Sequence, residues 1–96
     1  MTINDRRLRR LTLENVNRAP RKRGVYALYA DGEPVYIGLA VGGTDTIRRR
    51  LRIHLRKNPK DVSAYRREPS ATPEARHKAL LAEHVAAHGA PPLRNA

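Results

Sequence analysis

The chain contains no cysteine, no tryptophan and no phenylalanine. Without cysteine there are no disulfides, no thiolate metal ligands and no cysteine nucleophile, and a reducing, cytoplasmic setting is compatible with the chain. Acidic residues are scarce: nine Asp and Glu face twenty Lys and Arg, a formal net charge of +11. No apolar run is long enough for a transmembrane helix, so no membrane association is expected. The basic N-terminal stretch "MTINDRRLRRLTL" has no apolar segment behind it, which argues against a secretory signal. At 96 residues the chain reads as one domain with a thin core.

Against these absences stands a dense, arginine-rich positive charge. Residues 1–23 hold eight basic side chains against Asp5 and Glu14, residues 47–67 hold nine against Asp61, and from residue 68 onward three basic face three acidic. A surface of this kind attracts polyanions, and the planar guanidinium suits phosphate oxygens, so nucleic acid is the first partner to consider. The bland alternative is a solvated arginine-rich surface.

The chain divides into a basic lead-in, residues 1–23, and a segment from 24 to 96. "GVYALYA" (24–30) and "VYIGLA" (35–40) are β-rich and flank the turn-forming "DGEP", which predicts a hairpin. The loop "VGGTDT" precedes "TIRRRLRIHLRK", where Thr44, Asp45 or Thr46 can cap a helix and Ile47, Leu51 and Leu55 form a narrow apolar stripe ended by Asn58-Pro59. Residues 62–67 read either as a third strand or as a short helical turn. Thr72-Pro73 opens a second helix that Gly89 and Pro91-Pro92 close. The order β-β-α-(β)-α fits a small sheet covered by helices.

Chemistry-bearing residues fall on these elements. Three of the four tyrosines and three of the six glycines lie within residues 24–38. On the first helix, Arg50 and His54 sit one turn apart at an edge of the apolar stripe, while Arg48, Arg49, Arg52 and Arg56 point away as phosphate tethers or plain solvated charges. On the second helix, Ala75, Ala79 and Ala86 share a face beside Glu83. Small residues permit close approach to a neighbour, which would enclose Glu83 and call for a divalent metal or an arginine. His77, His84 and His88 share another face and offer a zinc reading resting on spacing alone. No phosphate-binding loop, dinucleotide fingerprint or G-x-S-x-G is present. Any catalysis must therefore use Tyr, Arg, His, Glu and a metal.

This inventory resembles the GIY-YIG nuclease family. "GVY" at 24–26 and "YIG" at 36–38 are similar to its two signature elements, "RRRLRIH" to the segment carrying its helical arginine (Arg50) and a histidine (His54), and "ALLAEHVAAHGAPPLRN" to its metal-binding helix with Glu83 and a closing Asn95. The "VGGTD" loop is slightly extended beside the family's usual length.

The resemblance implies an α/β (α+β) fold with a small antiparallel three-stranded sheet flanked by helices. It also implies an endonuclease or nickase that hydrolyses DNA phosphodiester bonds with Mg²⁺ or Mn²⁺. In that scheme Tyr26 is the general base or water-positioning group, Tyr36 assists it, Arg50 clamps the scissile phosphate, His54 supports Tyr26 or a phosphate, and Glu83 holds the metal. Gly24 and Gly38 leave backbone room for a DNA strand, and Asn95 fixes the C-terminal segment. A tyrosine titrates near pH ~10, so a cation close to Tyr26, Arg50 foremost, would make it a better base. Arg21, Lys22, Arg23, Arg48, Arg49, Arg52, Arg56 and Lys57 would hold DNA phosphates. Base discrimination would then come from a protein partner, a homodimer or the shape of the DNA. The alternative is a basic nucleic-acid-binding module that keeps the fold and does not cut.

Overall fold

Asp31 and Gly32 both take positive φ, 50° and 79°, the requirement of a type I′ turn, whose twist matches a two-stranded hairpin. In this computed structural model, which describes residues 3–57 and 61–95, that turn joins β2 (Gly24–Ala30) to β3 (Glu33–Ala40). The second strand thus begins two residues earlier than the β-rich run suggests. Leu28 faces Tyr36 but Tyr29 faces Pro34, so a bulge at Val35 resets the pairing. Pro34 is tolerated because β3 is an edge strand.

The ambiguous segment after the first helix is a strand, β4 (Ala64–Pro69), paired antiparallel to β2. The lead-in supplies one strand more than the three expected: β1 (Arg9–Arg10) pairs with β4, giving an antiparallel sheet ordered β1-β4-β2-β3. The lead-in also forms the single-turn helix α1 (Leu13–Val16), capped by the Thr12 side chain. It buries Ile3, Val16 and Ala19 in the same cores as the sheet.

Helices cover both faces, so the architecture is α+β. On one face lies α2 (Ile47–Lys57), whose Ile47 and Leu51 pack on Tyr26, Leu28 and Tyr65. Its first amides are satisfied by the lead-in, Ile47 N–H by the Lys22 carbonyl and Arg48 N–H by that of Pro20, and by Thr46 Oγ1, which accepts from Arg49 N. The Asn58-Pro59 stop lies outside the described residues. On the other face lies α3 (Pro73–His88), with Pro73 in its first turn and Gly89 in the left-handed conformation that ends it. Its Leu80 packs on Val25, Ala27, Tyr29 and Ile37.

The alanine face of α3 is not the packed one. Ala75, Ala79 and Ala86 are exposed, and Pro73, Leu80 and His84 are buried instead. The larger apolar area of Leu80 decides which side turns inward. A short 3₁₀ turn, Leu93–Asn95, follows. Among the described residues no helix is long and apolar enough to cross a membrane.

Candidate active site

Alternation along β2 sends Tyr26 and Leu28 to the α2 face and Val25, Ala27 and Tyr29 to the α3 face. Because Leu28 is opposite Tyr36 and Tyr26 opposite Gly38, the two tyrosines stand side by side on the α2 face, ring centroids 6.1 Å apart. His54 descends from α2 between them, its ring centroid 5.5 Å from Tyr26 and 5.4 Å from Tyr36. The Tyr26 hydroxyl and His54 Nε2 are 2.8 Å apart.

The glycines do something other than expected. A Cβ at Gly38 would overlap the Tyr26 ring, and one at Gly24 would overlap the β4 backbone and the Ile47 side chain. The room these glycines leave is filled by the protein itself. Gly38 lets the Tyr26 ring lie flat across the neighbouring strand.

Burial sets the protonation of the pair. The Tyr26 hydroxyl is pushed well above the ordinary phenol value by desolvation and then by Tyr36; Arg50 pulls the other way and is outweighed. The expected activation by a cation is therefore present in direction and overcome in magnitude, because the ring is only 1% exposed. His54 is held below its ordinary 6.5 by burial, then by Lys57, Arg50 and Arg94. The phenol keeps its proton and the imidazole is neutral, and in the tautomer protonated at Nδ1 the Tyr26 O–H donates to the Nε2 lone pair.

Arg50 flanks this pair, with its charge felt at both tyrosines. Its guanidinium is engaged in a two-point fork by Asp45, Nε to Oδ1 at 2.6 Å and a terminal nitrogen to Oδ2 at 3.1 Å. Asp45 is itself fixed: its backbone bridges Gly42 in both directions and its Oδ2 accepts from Val41 N. The pairing raises the Arg50 pKa and lowers that of Asp45. The sequence offers Asp45 only as a possible cap, and a spacing of five residues from Arg50 does not by itself predict the pair.

Glu83 belongs to a different layer. It is half-buried on α3, which covers the opposite face of the sheet, on a flank where its charge reaches Arg76. Among the described residues no group of three or more His, Asp or Glu side chains is arranged to hold a metal ion. A metal at Glu83 would rest on one carboxylate, water and substrate oxygens. That donor set fits Mg²⁺ or Mn²⁺, which retain several waters, and does not fit a structural zinc. Two of the three histidines that carry the zinc reading bond to backbone instead: His77 Nε2 donates to the Ile37 carbonyl at 3.0 Å and His84 Nδ1 to that of Ala90 at 3.0 Å.

Asn95 clamps the edge strand from outside. Its Oδ1 accepts the Ile37 N–H at 2.8 Å and its Nδ2 donates to the Ile37 carbonyl at 3.0 Å. Asn95 thus holds the C-terminal turn beside Tyr36. The same turn brings in Arg94, which pairs with Asp61. With Tyr36, His54, Lys57 and Leu28, Arg94 walls a cavity of about 330 Å³. Arg94 carried no signal in the sequence beyond its adjacency to Asn95.

The remaining cations form two grooves away from the rings. Arg21, Arg48, Arg49, Arg52 and Arg56 line one of about 610 Å³. Arg48 and Arg52 are anchored there by neutral acceptors, the Ala19 carbonyl and Asn17 Oδ1, which leaves their charge uncompensated. Arg21, Lys22 and Arg23 line the other, of about 540 Å³. No protein-family model matches the chain, and neither a curated protein nor a solved structure shows significant similarity to it.

Proposed function

We propose that this chain is a divalent-metal-dependent endonuclease or nickase of the GIY-YIG type, acting on DNA. The observation that carries the reading is the Tyr26–His54 hydrogen bond of 2.8 Å, set beside Tyr36 and flanked by Arg50. Phosphodiester hydrolysis needs a water made nucleophilic, charge stabilisation on a crowded phosphate and a leaving oxygen that departs easily.

A buried phenol is a poor base by itself. Hydrogen-bonded to a neutral imidazole, it becomes a relay: the Tyr26 oxygen accepts the proton of the attacking water as its own proton moves to His54 Nε2. Tyr36 orients the water or a phosphate oxygen alongside. Arg50, whose fork matches two phosphate oxygens as well as two carboxylate oxygens, exchanges Asp45 for the scissile phosphate. Glu83 is the carboxylate the resemblance assigns to the divalent ion, which when bound would supply charge neutralisation. It lies on α3, across the sheet from the tyrosine rings, and Glu83→Gln tests whether an ion there serves the reaction. The grooves lined by Arg21–Arg23 and by Arg48, Arg49, Arg52 and Arg56 would carry flanking phosphates without reading bases. A protein partner or second copy would then supply specificity.

A second reading has its own support. Arg50 is engaged by Asp45 and Tyr26 is held as a neutral phenol, as suits a nucleic-acid-binding module that does not cut. Conversion of supercoiled plasmid to open circles separates the two. The nuclease reading expects nicking with Mg²⁺, none in EDTA, and a loss of at least tenfold in Glu83→Gln. Salt-sensitive binding without nicking favours the module.

A further inference from the structure

Residues of α2 line two cationic cavities. One, of about 350 Å³, is lined by Asp45, Arg49 and Arg50. The other, of about 330 Å³, is lined by Leu28, Tyr36, His54, Lys57 and Arg94. Arg50, His54 and Lys57 form one row on α2, spaced by four and then three residues, so all three face the tyrosines. Seven residues of helix separate Arg50 from Lys57 by about 10 Å along the axis. With an imidazole between them, the two cationic groups suit two different phosphates.

We propose that the cavity between Tyr36, His54, Lys57 and Arg94 is a subsite for the nucleotide adjoining the scissile bond, with Lys57 and Arg94 holding its phosphate. This rests on the nuclease reading for its place in a reaction, and on geometry alone for its ligand. The volume is at the low end of the ~300–1,000 Å³ range of ligand pockets, room for one nucleotide and not for a duplex. The lining divides as a nucleotide does: apolar Leu28 and the Tyr36 ring toward sugar or base, two cations toward the phosphate oxygens. Asp61, the partner of Arg94, is exposed, as is the pair itself, so a phosphate can displace it at little cost.

His54 reports occupancy. The groups facing it are Tyr26 from β2, Tyr36 from β3, Arg50 and Lys57 from its own helix, and Arg94 from the C-terminal turn. The three cations repel its proton, and an anion between Lys57 and Arg94 relieves that repulsion. The test is an NMR titration of the His54 imidazole without metal, in the presence of inorganic phosphate or of the dinucleotide d(TpT), whose phosphate is an internal diester. The subsite predicts that the His54 pKa rises by about half a unit or more, and that Lys57→Gln and Arg94→Gln each reduce the rise while Arg10→Gln, on the far edge strand, leaves it intact.

A larger response to d(TpT) marks an internal phosphate as the ligand, and a larger response to inorganic phosphate marks a terminal one. No shift with either probe, or a shift unchanged in both Lys57→Gln and Arg94→Gln, overturns the subsite. Lys57 is exposed on the last turn of α2, so its variant keeps the test open if Arg94→Gln disturbs the turn. No turnover is required. A responsive His54 in a chain that never nicks DNA would refute the nuclease reading and leave the subsite standing.

Discussion

Asp45 holds the Arg50 guanidinium through both carboxylate oxygens, at 2.6 and 3.1 Å, from a loop that its own backbone pins to Gly42. Carboxylate and phosphate present the same fork to arginine, so Asp45 competes with substrate for Arg50. Asp45→Asn preserves the shape and the acceptor for Val41 N–H while removing the charge. Exposed pairs of this kind contribute about 0.2–1 kcal/mol, so DNA affinity at fixed salt is expected to tighten by a factor of about 1.4 to 5. An unchanged dissociation constant would show that Arg50 does not meet phosphate.

The pH dependence of turnover follows from His54. Its pKa lies below the ordinary 6.5, so at pH 7 Nε2 is free to accept the Tyr26 proton. Lowering the pH protonates it and removes the acceptor. The rate at saturating DNA should be level near neutrality and fall only as the pH drops below about 6.5. His54→Gln should lower the plateau and abolish this acid limb.

Gly38 is a packing requirement of Tyr26. In Gly38→Ala the new methyl collides with the Tyr26 ring, which must tilt away from His54. A cost of about 1–3 kcal/mol is expected from overpacking, together with loss of activity at temperatures where the chain stays folded. Gly32 offers the contrast. Its φ of 79° strains an alanine, yet nothing lies within 4 Å of the new methyl. Gly32→Ala should therefore cost about 1–2 kcal/mol and leave the nicking rate alone. Thermal unfolding and plasmid nicking measured on both variants check the pair.

On the other face, Glu68 is 7% exposed and accepts from Arg76 Nε at 2.6 Å and from Asn4 N at 2.7 Å. Burial pushes its carboxyl up, but Arg76 and the Asn4 amide bring the net value below the ordinary 4.5. The unfolded chain therefore takes up this proton first on acidification. The contribution of Glu68 to stability is complete above pH 4.5 and is lost as the pH falls through its folded value. Glu68→Gln should destabilise the chain by about 1.5–3 kcal/mol at pH 7 and by less at pH 3. Denaturant melts at the two pH values provide the check.

The hairpin, α2 and the limits of α3 were legible in the sequence because each carries a local cause: Asp31-Gly32 for the turn, Ile47 and Leu51 one turn apart for the buried stripe, Pro73 and Gly89 for the two ends. β4 was ambiguous because Arg66 and Arg67 interrupt its apolar alternation. β1 was illegible because two residues have no period to read. Periodicity grouped Ala75, Ala79 and Ala86 correctly on one side of α3 but could not say which side packs; the larger area of Leu80 settled that.

The site divides in the same way. Arg50 and His54 were readable as neighbours from helical spacing, and their nearness to Tyr26 followed from the GIY-YIG resemblance. The Asp45 fork, the wall built by Arg94 and the upward pull on the Tyr26 hydroxyl depend on loop paths and burial, which no window of sequence contains.

The relay from Tyr26 to His54 is tested most directly by the Mg²⁺-dependent nicking rate of Tyr26→Phe, which removes one oxygen from a ring the core still holds. The account predicts a fall of at least a hundredfold with DNA binding and thermal stability near those of the parent chain. A rate within a few-fold of the parent would contradict it.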